Sequence, residues 1–345
     1  MKKEYPLIDV LKLTFAIIVV ALHVFAEYSE LAYINKPLYV LTQIGMAFYF
    51  TASGFFVFSK YEKTMNHSVF LKQAIRLLIL YLIYNVLYFF VEVLMPSIIG
   101  SANFLLQTKK FLMDMFIGGT SVMWFIWSLI VINFLLFFIT WRNWDLRRLL
   151  IITVCVGFFL YLTCSILFDF YGPHYLPTNF VNNIKNHWSY FGLLRLIGQG
   201  MFFVPLGGLI SQIQINRKQP ILIAFIISIF LFICEYFITF TIFKSGICFG
   251  TTMPFLITSG FFFVLLYDGL PQKKKYIMLR NMSTAIYLIH TPIMNVMHQL
   301  FKRGILPILN GFVPFVTILS LCFAYFFIIN FAKKYKFLHW MKYLS

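Results

Sequence analysis

The chain has 345 residues, of which 61% are hydrophobic and only 11% are charged. A soluble globular protein has roughly 45–50% apolar and about 25% charged residues, so this composition excludes an ordinary soluble protein and favours a membrane protein. The net charge of +17 does not predict nucleic-acid binding, because the lysines and arginines lie in short segments between apolar runs rather than on one face of a domain.

Apolar runs long enough to cross a bilayer recur along the chain. A transmembrane helix needs about 20 mostly apolar residues. The sequence therefore predicts ten membrane helices, near residues 8–27, 38–59, 73–95, 122–140, 149–168, 193–212, 220–240, 248–267, 284–301 and 306–332. The first run is longer than the apolar part of a secretory signal and contains Asp9, Lys12 and His23, so we interpret it as a membrane helix.

The segments between these runs are too short to fold independently, which predicts a single integral-membrane domain over residues 1–345. The two longest, near 96–121 and 169–192, contain Pro, Gly, Asn and Thr and are predicted to be loops. The five cysteines form no CxxC pair, and the histidines show no metal-ligand spacing. We therefore expect no metal site.

The distribution of basic residues predicts how the helices are oriented. When the N-terminus is placed in the cytoplasm, most Lys and Arg residues fall in cytoplasmic segments, among them the cluster at 273–275. The outer segments hold fewer, such as Lys109 and Lys110. The predicted fold is an all-α, polytopic transmembrane bundle of about ten helices, with both termini on the cytoplasmic side of a bacterial plasma membrane.

Polar residues inside the apolar runs are the candidate functional residues, because a charge at bilayer depth is costly unless it is paired or hydrated. The predicted orientation divides these residues by depth. Those toward the cytoplasmic side include Lys12, Ser53, Arg76 and His290. Those toward the outer side are His23, Arg195 and Glu235.

The first helix connects the two depths. Lys12 and His23 are eleven residues apart, so they share a helix face and are separated by roughly 16 Å along the axis. Asp9 precedes Lys12 by three residues, which is close enough for an ion pair. Histidine is the usual general base near neutral pH. We predict that His23 is the base, that Glu235 orients its ring and that Arg195 counters a developing oxyanion.

A structural role is the alternative for each of these residues. Asp9 and Lys12 at the interface would extend their charged groups to water. His23 would be a hydrogen-bonded packing residue, and Glu235 would pair directly with Arg195. Ser53 would pack helices through the small Ser-Gly pair, since no general base lies near it in sequence.

Five segments, taken in order, resemble the acyltransferase-3 family of membrane proteins. The segment IDVLKLTFAIIVVALH resembles the family's opening, in which an arginine precedes a histidine by eleven positions, here Lys12 and His23. FYFTASGFFVF, the basic Arg76, the WFIW segment from Trp124 and MSTAIYLIHTPI with His290 follow in the family's order. LLRLIGQGMFF resembles the membrane domains of vancomycin-resistance serine racemases and surface-polysaccharide O-acyltransferases.

The resemblance implies transfer of an acyl group, such as acetyl, from cytoplasmic acyl-coenzyme A to a hydroxyl of an envelope sugar, a polymer or a small molecule. It implies donor-binding residues toward the cytoplasm and catalytic residues farther out. The donor-binding group is Lys12, Arg76, Ser53 and His290, and the catalytic group is His23, Glu235 and Arg195. Lys12 replaces the family's arginine, and a lysine holds phosphate as a point charge without the bidentate guanidinium fork.

Two other functions fit the same polar interior. The first is transport or export of a small amino acid or a glycan, for which a pair of broken helices in repeated halves is typical. The segment from Gly250 to Pro254 interrupts the eighth predicted helix, but no matching break occurs in the first half. The second is a non-catalytic partner in a polysaccharide assembly complex, which would tolerate changes at His23, Arg76 and Ser53.

Overall fold

The structure is a computed structural model, and it describes residues 5–28, 32–98, 103–117, 121–142, 145–164, 188–214, 217–241, 251–270, 274–305 and 312–334. These residues form no β-strand, so the described part of the chain is all-helical. Six segments are long and apolar enough to cross a membrane: Pro6–Glu27, Pro37–Thr64, Ser68–Ile98, Trp124–Trp141, Lys218–Thr239 and Val313–Ala332. The chain is therefore a membrane protein by length and composition of its helices.

Within the described residues there are eleven α-helices of more than one turn. They are α1 Pro6–Tyr28, α2 Ala32–Thr64, α3 Ser68–Phe89, α4 Phe104–Ile117, α5 Trp124–Trp141, α6 Leu146–Cys164, α7 Trp188–Gln212, α8 Lys218–Thr241, α9 Met253–Tyr267, α10 Lys274–Lys302 and α11 Val313–Ala332. Each of the ten apolar runs falls on one of these helices. Much of the predicted loop near 169–192 lies outside the described residues, but its last residues already belong to α7.

The prediction of a loop over 96–121 is wrong, because α4 occupies most of it. Asn103 begins this helix, and its Oδ1 accepts a hydrogen bond from the Leu106 backbone N–H at 3.2 Å. The helix has only 14 residues, and the polar residues 107–110 separate its two apolar clusters. It is therefore too short and too polar to span a bilayer. A search for long apolar runs does not detect a helix of this kind.

The third predicted span is longer than an ordinary helix. After α3, the chain continues through a π-helical turn, Phe90–Leu94, into one further α-helical turn, Met95–Ile98. A π-helical turn accommodates one extra residue in a helix and often occurs near functional positions. This turn contains Glu92.

The helices group into two compact units. Unit 1 comprises Met1–Gly45, Arg76–Ile126 and Leu270–Ser345, and in it α10 packs against α1 and α11. Unit 2 comprises Met46–Ile75 and Trp127–Gly269, and in it α6 packs against α7 and α8 packs against α9. The single domain expected over residues 1–345 stays a prediction.

In unit 2, glycines allow α2 and α7 to approach backbone to backbone. A Cβ atom added at Gly54 would lie 2.0 Å from the Val204 carbonyl oxygen, and one at Gly207 would lie 2.0 Å from the Thr51 carbonyl oxygen. Small residues are the usual means by which membrane helices pack this closely. The helix-packing role considered for the Ser53-Gly54 pair is thus confirmed for Gly54, beside which Ser53 is half-buried.

Candidate active site

The candidate site of unit 1 is built on α1 and α10, which pack side by side. Polar residues on α1 contact polar residues on α10 in the same order along both helices, so the two helices run parallel. The pairs are Asp9 with Arg280, His23 with His290, and Glu27 with His298. The polar faces of α1 and α10 therefore meet along the length of both helices. We call this set of pairs the polar column.

The ion pair at the N-terminal end of the polar column is bidentate. Arg280 Nε donates to Asp9 Oδ1 at 2.7 Å, and Arg280 Nη2 donates to Oδ2 at 2.8 Å. The Asp9 side chain is 2% exposed, whereas that of Arg280 is 40% exposed. Lys12 lies close enough to interact electrostatically with both. One carboxylate and two cations thus lie near one another at this end of α1.

The bidentate partner of Asp9 is Arg280, while Lys12, which lies three residues after Asp9, also interacts electrostatically with the carboxylate. The two partners are separated by 271 residues, so no local spacing indicates their contact. The fork geometry explains the choice, because a guanidinium matches both carboxylate oxygens and an ammonium does not.

The middle of the polar column contains two histidines. Their ring centroids are 5.3 Å apart, and the ring planes are inclined by 36°. His23 is half-buried, whereas His290 is fully buried. His290 Nδ1 lies 3.2 Å from the Ile286 carbonyl oxygen, one turn earlier in α10. The structure thus brings together one residue predicted to be catalytic and one predicted to bind the donor.

Glu92 is a site residue that sequence analysis missed. Its Oε1 accepts a hydrogen bond from Asn295 Nδ2 at 3.4 Å, which connects the π-helical turn to α10. One turn earlier, the buried Tyr88 hydroxyl donates to the Leu288 carbonyl oxygen at 3.1 Å. The signal was present in the sequence, because Glu92 is a carboxylate within a predicted membrane span.

Glu235 lies in unit 2, where the described hydrogen bonds of its carboxylate come from Thr251 and Thr252. Its carboxylate accepts from the backbone N–H and the hydroxyl of Thr251 at 3.3 and 2.7 Å. It also accepts from the Thr252 backbone N–H at 3.0 Å and from the Thr252 hydroxyl. These bonds hold a negative charge at the N-terminus of α9, which begins at Met253, and such a charge stabilises a helix N-terminus.

The remaining candidate residues have different surroundings. Arg76 is exposed near the beginning of α3, and Ser53 is half-buried in α2. Arg195 belongs to α7, but its side chain lies outside the described residues. Its predicted role, and its pairing with Glu235, stay predictions. Among the described residues, no group of three or more His, Cys, Asp or Glu side chains could hold a metal ion.

Comparison with known proteins gives one match. A family model described as an acyltransferase domain, Acyl_transf_3, matches residues 5–329, which is nearly the whole chain. No curated protein matches, and no solved structure matches.

The Asp9–Arg280 pair generates a stability prediction. Asp9→Asn leaves Arg280 and Lys12 close together without their carboxylate, so it should lower the thermal stability of the purified protein. The double variant Asp9→Asn/Arg280→Gln replaces both partners by amides and should recover part of the loss. Because Arg280 is partly exposed, we expect a coupling energy of about 1–3 kcal/mol in the double-mutant cycle. A coupling energy of zero would contradict the pairing.

Proposed function

Because the chain belongs to the acyltransferase-3 family, we propose that it transfers an acyl group, such as acetyl, from cytoplasmic acyl-coenzyme A to a hydroxyl of an envelope sugar, a polymer or a small molecule. The observation that carries the proposal is the polar column, in which Lys12 of α1 and Arg280 of α10 supply basic groups near one end and the His23 imidazole lies farther along α1. An acyl-coenzyme A donor needs a site for the phosphates of its coenzyme A part, and transfer of the acyl group to a hydroxyl needs a base.

The proposal includes ten membrane spans with both termini in the cytoplasm of a bacterial plasma membrane. The excess of Lys and Arg in the segments assigned to the cytoplasm supports this topology. In this topology the Asp9–Arg280 pair and Lys12 lie toward the cytoplasm, where coenzyme A is found. Glu27 and His298 lie toward the outside. The amphipathic α4 then lies at the outer surface of the membrane.

In the donor site, Lys12 and Arg280 hold the phosphates of coenzyme A, and the pantetheine arm runs along the polar column toward His23. The half-exposed guanidinium of Arg280 supplies the planar donor group that Lys12 lacks. Asp9 keeps that guanidinium in place through its two hydrogen bonds. Arg76, Ser53 and His290 stay predicted donor-binding residues.

In the transfer step, His23 removes the proton of the acceptor hydroxyl. The hydroxyl oxygen forms a bond to the thioester carbonyl carbon, and the carbon–sulfur bond breaks. The coenzyme A thiolate leaves and takes the proton from His23, so the products are the acyl ester and free coenzyme A. The roles predicted from the sequence for Glu235, which would orient the base, and for Arg195, which would counter a developing oxyanion, stay predictions.

The first test of this function is substitution of His23. Purified protein in lipid vesicles is incubated with radiolabelled acetyl-coenzyme A and envelope glycans from cells that lack the gene, and label in the glycan fraction is counted. His23→Ala should reduce labelling by about 10²-fold or more, because the base is lost. His67→Ala, a histidine of unit 2 outside the proposed site, is the matched control and should label as the original protein does. Full labelling by His23→Ala would remove His23 from the reaction.

The second test concerns the donor. If Lys12 holds a phosphate, Lys12→Met should raise KM for acetyl-coenzyme A about tenfold, since a charge-assisted hydrogen bond contributes about 1.5–3 kcal/mol. KM for S-acetylpantetheine, which has no phosphate, should not change, and Lys12→Arg should keep the original preference. An equal rise for both donors would show that Lys12 does not contact phosphate. If the protein shows no activity with acetyl-coenzyme A or with S-acetylpantetheine, the result would contradict acyl-coenzyme A as the donor class.

A further inference from the structure

His290 uses only one of its two ring nitrogens. Its side chain is 0% exposed, and Nδ1 faces the Ile286 carbonyl oxygen at 3.2 Å. A carbonyl oxygen only accepts hydrogen bonds, so this contact assigns the ring proton to Nδ1 and leaves Nε2 as an acceptor. Nε2 is buried and has no hydrogen-bond partner. Buried polar atoms in proteins nearly always have a partner, so Nε2 calls for a donor.

The neighbouring ring that can supply this donor is His23. An imidazole nitrogen lies about 1 Å from its ring centroid, so an N–H···N hydrogen bond of about 3 Å places two centroids roughly 5 Å apart. The observed separation is 5.3 Å, with the planes inclined by 36°. The other ring near His290 belongs to Tyr287, whose hydroxyl donates to the Val122 carbonyl oxygen at 2.7 Å.

We propose that His290 is the positioning residue of the catalytic base: its Nε2 accepts the ring N–H of His23, so that the other nitrogen of His23 presents its lone pair to the acceptor hydroxyl. This inference rests on the proposed acyl transfer. It assigns the role of orienting His23 to a residue for which the sequence predicted donor binding.

His290 is a neutral hydrogen-bond partner, and a neutral partner suits the positioning of the base His23. When His23 takes the hydroxyl proton it becomes an imidazolium, and its N–H···Nε2 bond becomes charge-assisted and stronger. The interaction therefore increases toward the transition state, which is the condition for catalysis.

The hydrogen bond from Nδ1 to Ile286 matters for the same reason. Rotating the His290 ring by half a turn about Cβ–Cγ would put Cδ2 in the place of Nδ1 and Cε1 in the place of Nε2, and would lose the bond to the carbonyl oxygen. The backbone of α10 thus fixes which nitrogen of His290 faces outward from its own helix. His290 orients His23 in the way that a hydrogen-bonded carboxylate orients the histidine of a catalytic triad.

The test compares two substitutions at His290 in the acetyl-transfer assay. His290→Gln places an amide oxygen near the position of Nε2 and should keep kcat within about threefold. His290→Leu removes the acceptor and should lower kcat at least about tenfold, which is part of what a general base contributes, with KM for acetyl-coenzyme A unchanged. His67→Leu, which changes a histidine outside the proposed site, is the matched control and should leave kcat and KM unchanged. A raised KM with unchanged kcat would instead assign His290 to donor binding.

A spectroscopic measurement on the unsubstituted protein keeps the test independent of how the variants fold. With ¹⁵N-labelled histidine, NMR should show the proton of His290 on Nδ1 and a His23 nitrogen signal that changes in His290→Gln. A proton on His290 Nε2 would overturn the proposal. If the unsubstituted protein transfers no acetyl group, the proposed function fails. If it does and His290→Leu keeps full kcat, only this inference fails.

Discussion

A charged or polar side chain in the hydrocarbon of a membrane must find a partner within the protein, and this constraint shapes unit 1. Asp9 is almost completely buried on α1, and two hydrogen bonds from Arg280 on α10 satisfy its carboxylate. That contact fixes where α10 lies beside α1 and in which direction it runs. With the two helices aligned, the histidines and the outer Glu27–His298 pair meet as a consequence. Apolar packing alone specifies direction and register much less strongly, because lipid chains are as apolar as the helices themselves.

The polar residues that this constraint pairs make α10 a poor membrane segment by hydropathy, although its partner α1 is one of the six apolar segments. α10 is the longest helix after α2, yet it is absent from the six apolar segments because it contains Arg280, His290, Asn295 and His298. Each of these is paired or packed within unit 1. Polar side chains inside a membrane are energetically unfavourable, and mutual pairing of these residues reduces that unfavourable free energy.

Sequence patterns predicted the local structure well. Runs of apolar residues located a helix at every predicted span, because helix formation and span length are local properties. The family resemblance was also confirmed over residues 5–329. The pattern failed at α4, where a polar centre hides a helix from a hydropathy search. It also could not identify the Asp9–Arg280 contact, because residues 271 positions apart meet only through the tertiary fold. The catalytic assignments of His23, Glu235 and Arg195 stay predictions, and the Glu235 carboxylate accepts its described hydrogen bonds from Thr251 and Thr252.

We propose that one polar column on α1 and α10 guides a coenzyme A thioester from a basic cytoplasmic cluster to His23. An experimental structure with a non-hydrolysable ketone analogue of acetyl-coenzyme A bound tests it most directly. We expect the phosphates to contact Lys12 and Arg280 and the carbonyl carbon to lie beside His23. We also expect the His23 N–H to point to His290 Nε2. An analogue bound away from α1, or a His23 ring turned toward lipid, would contradict it.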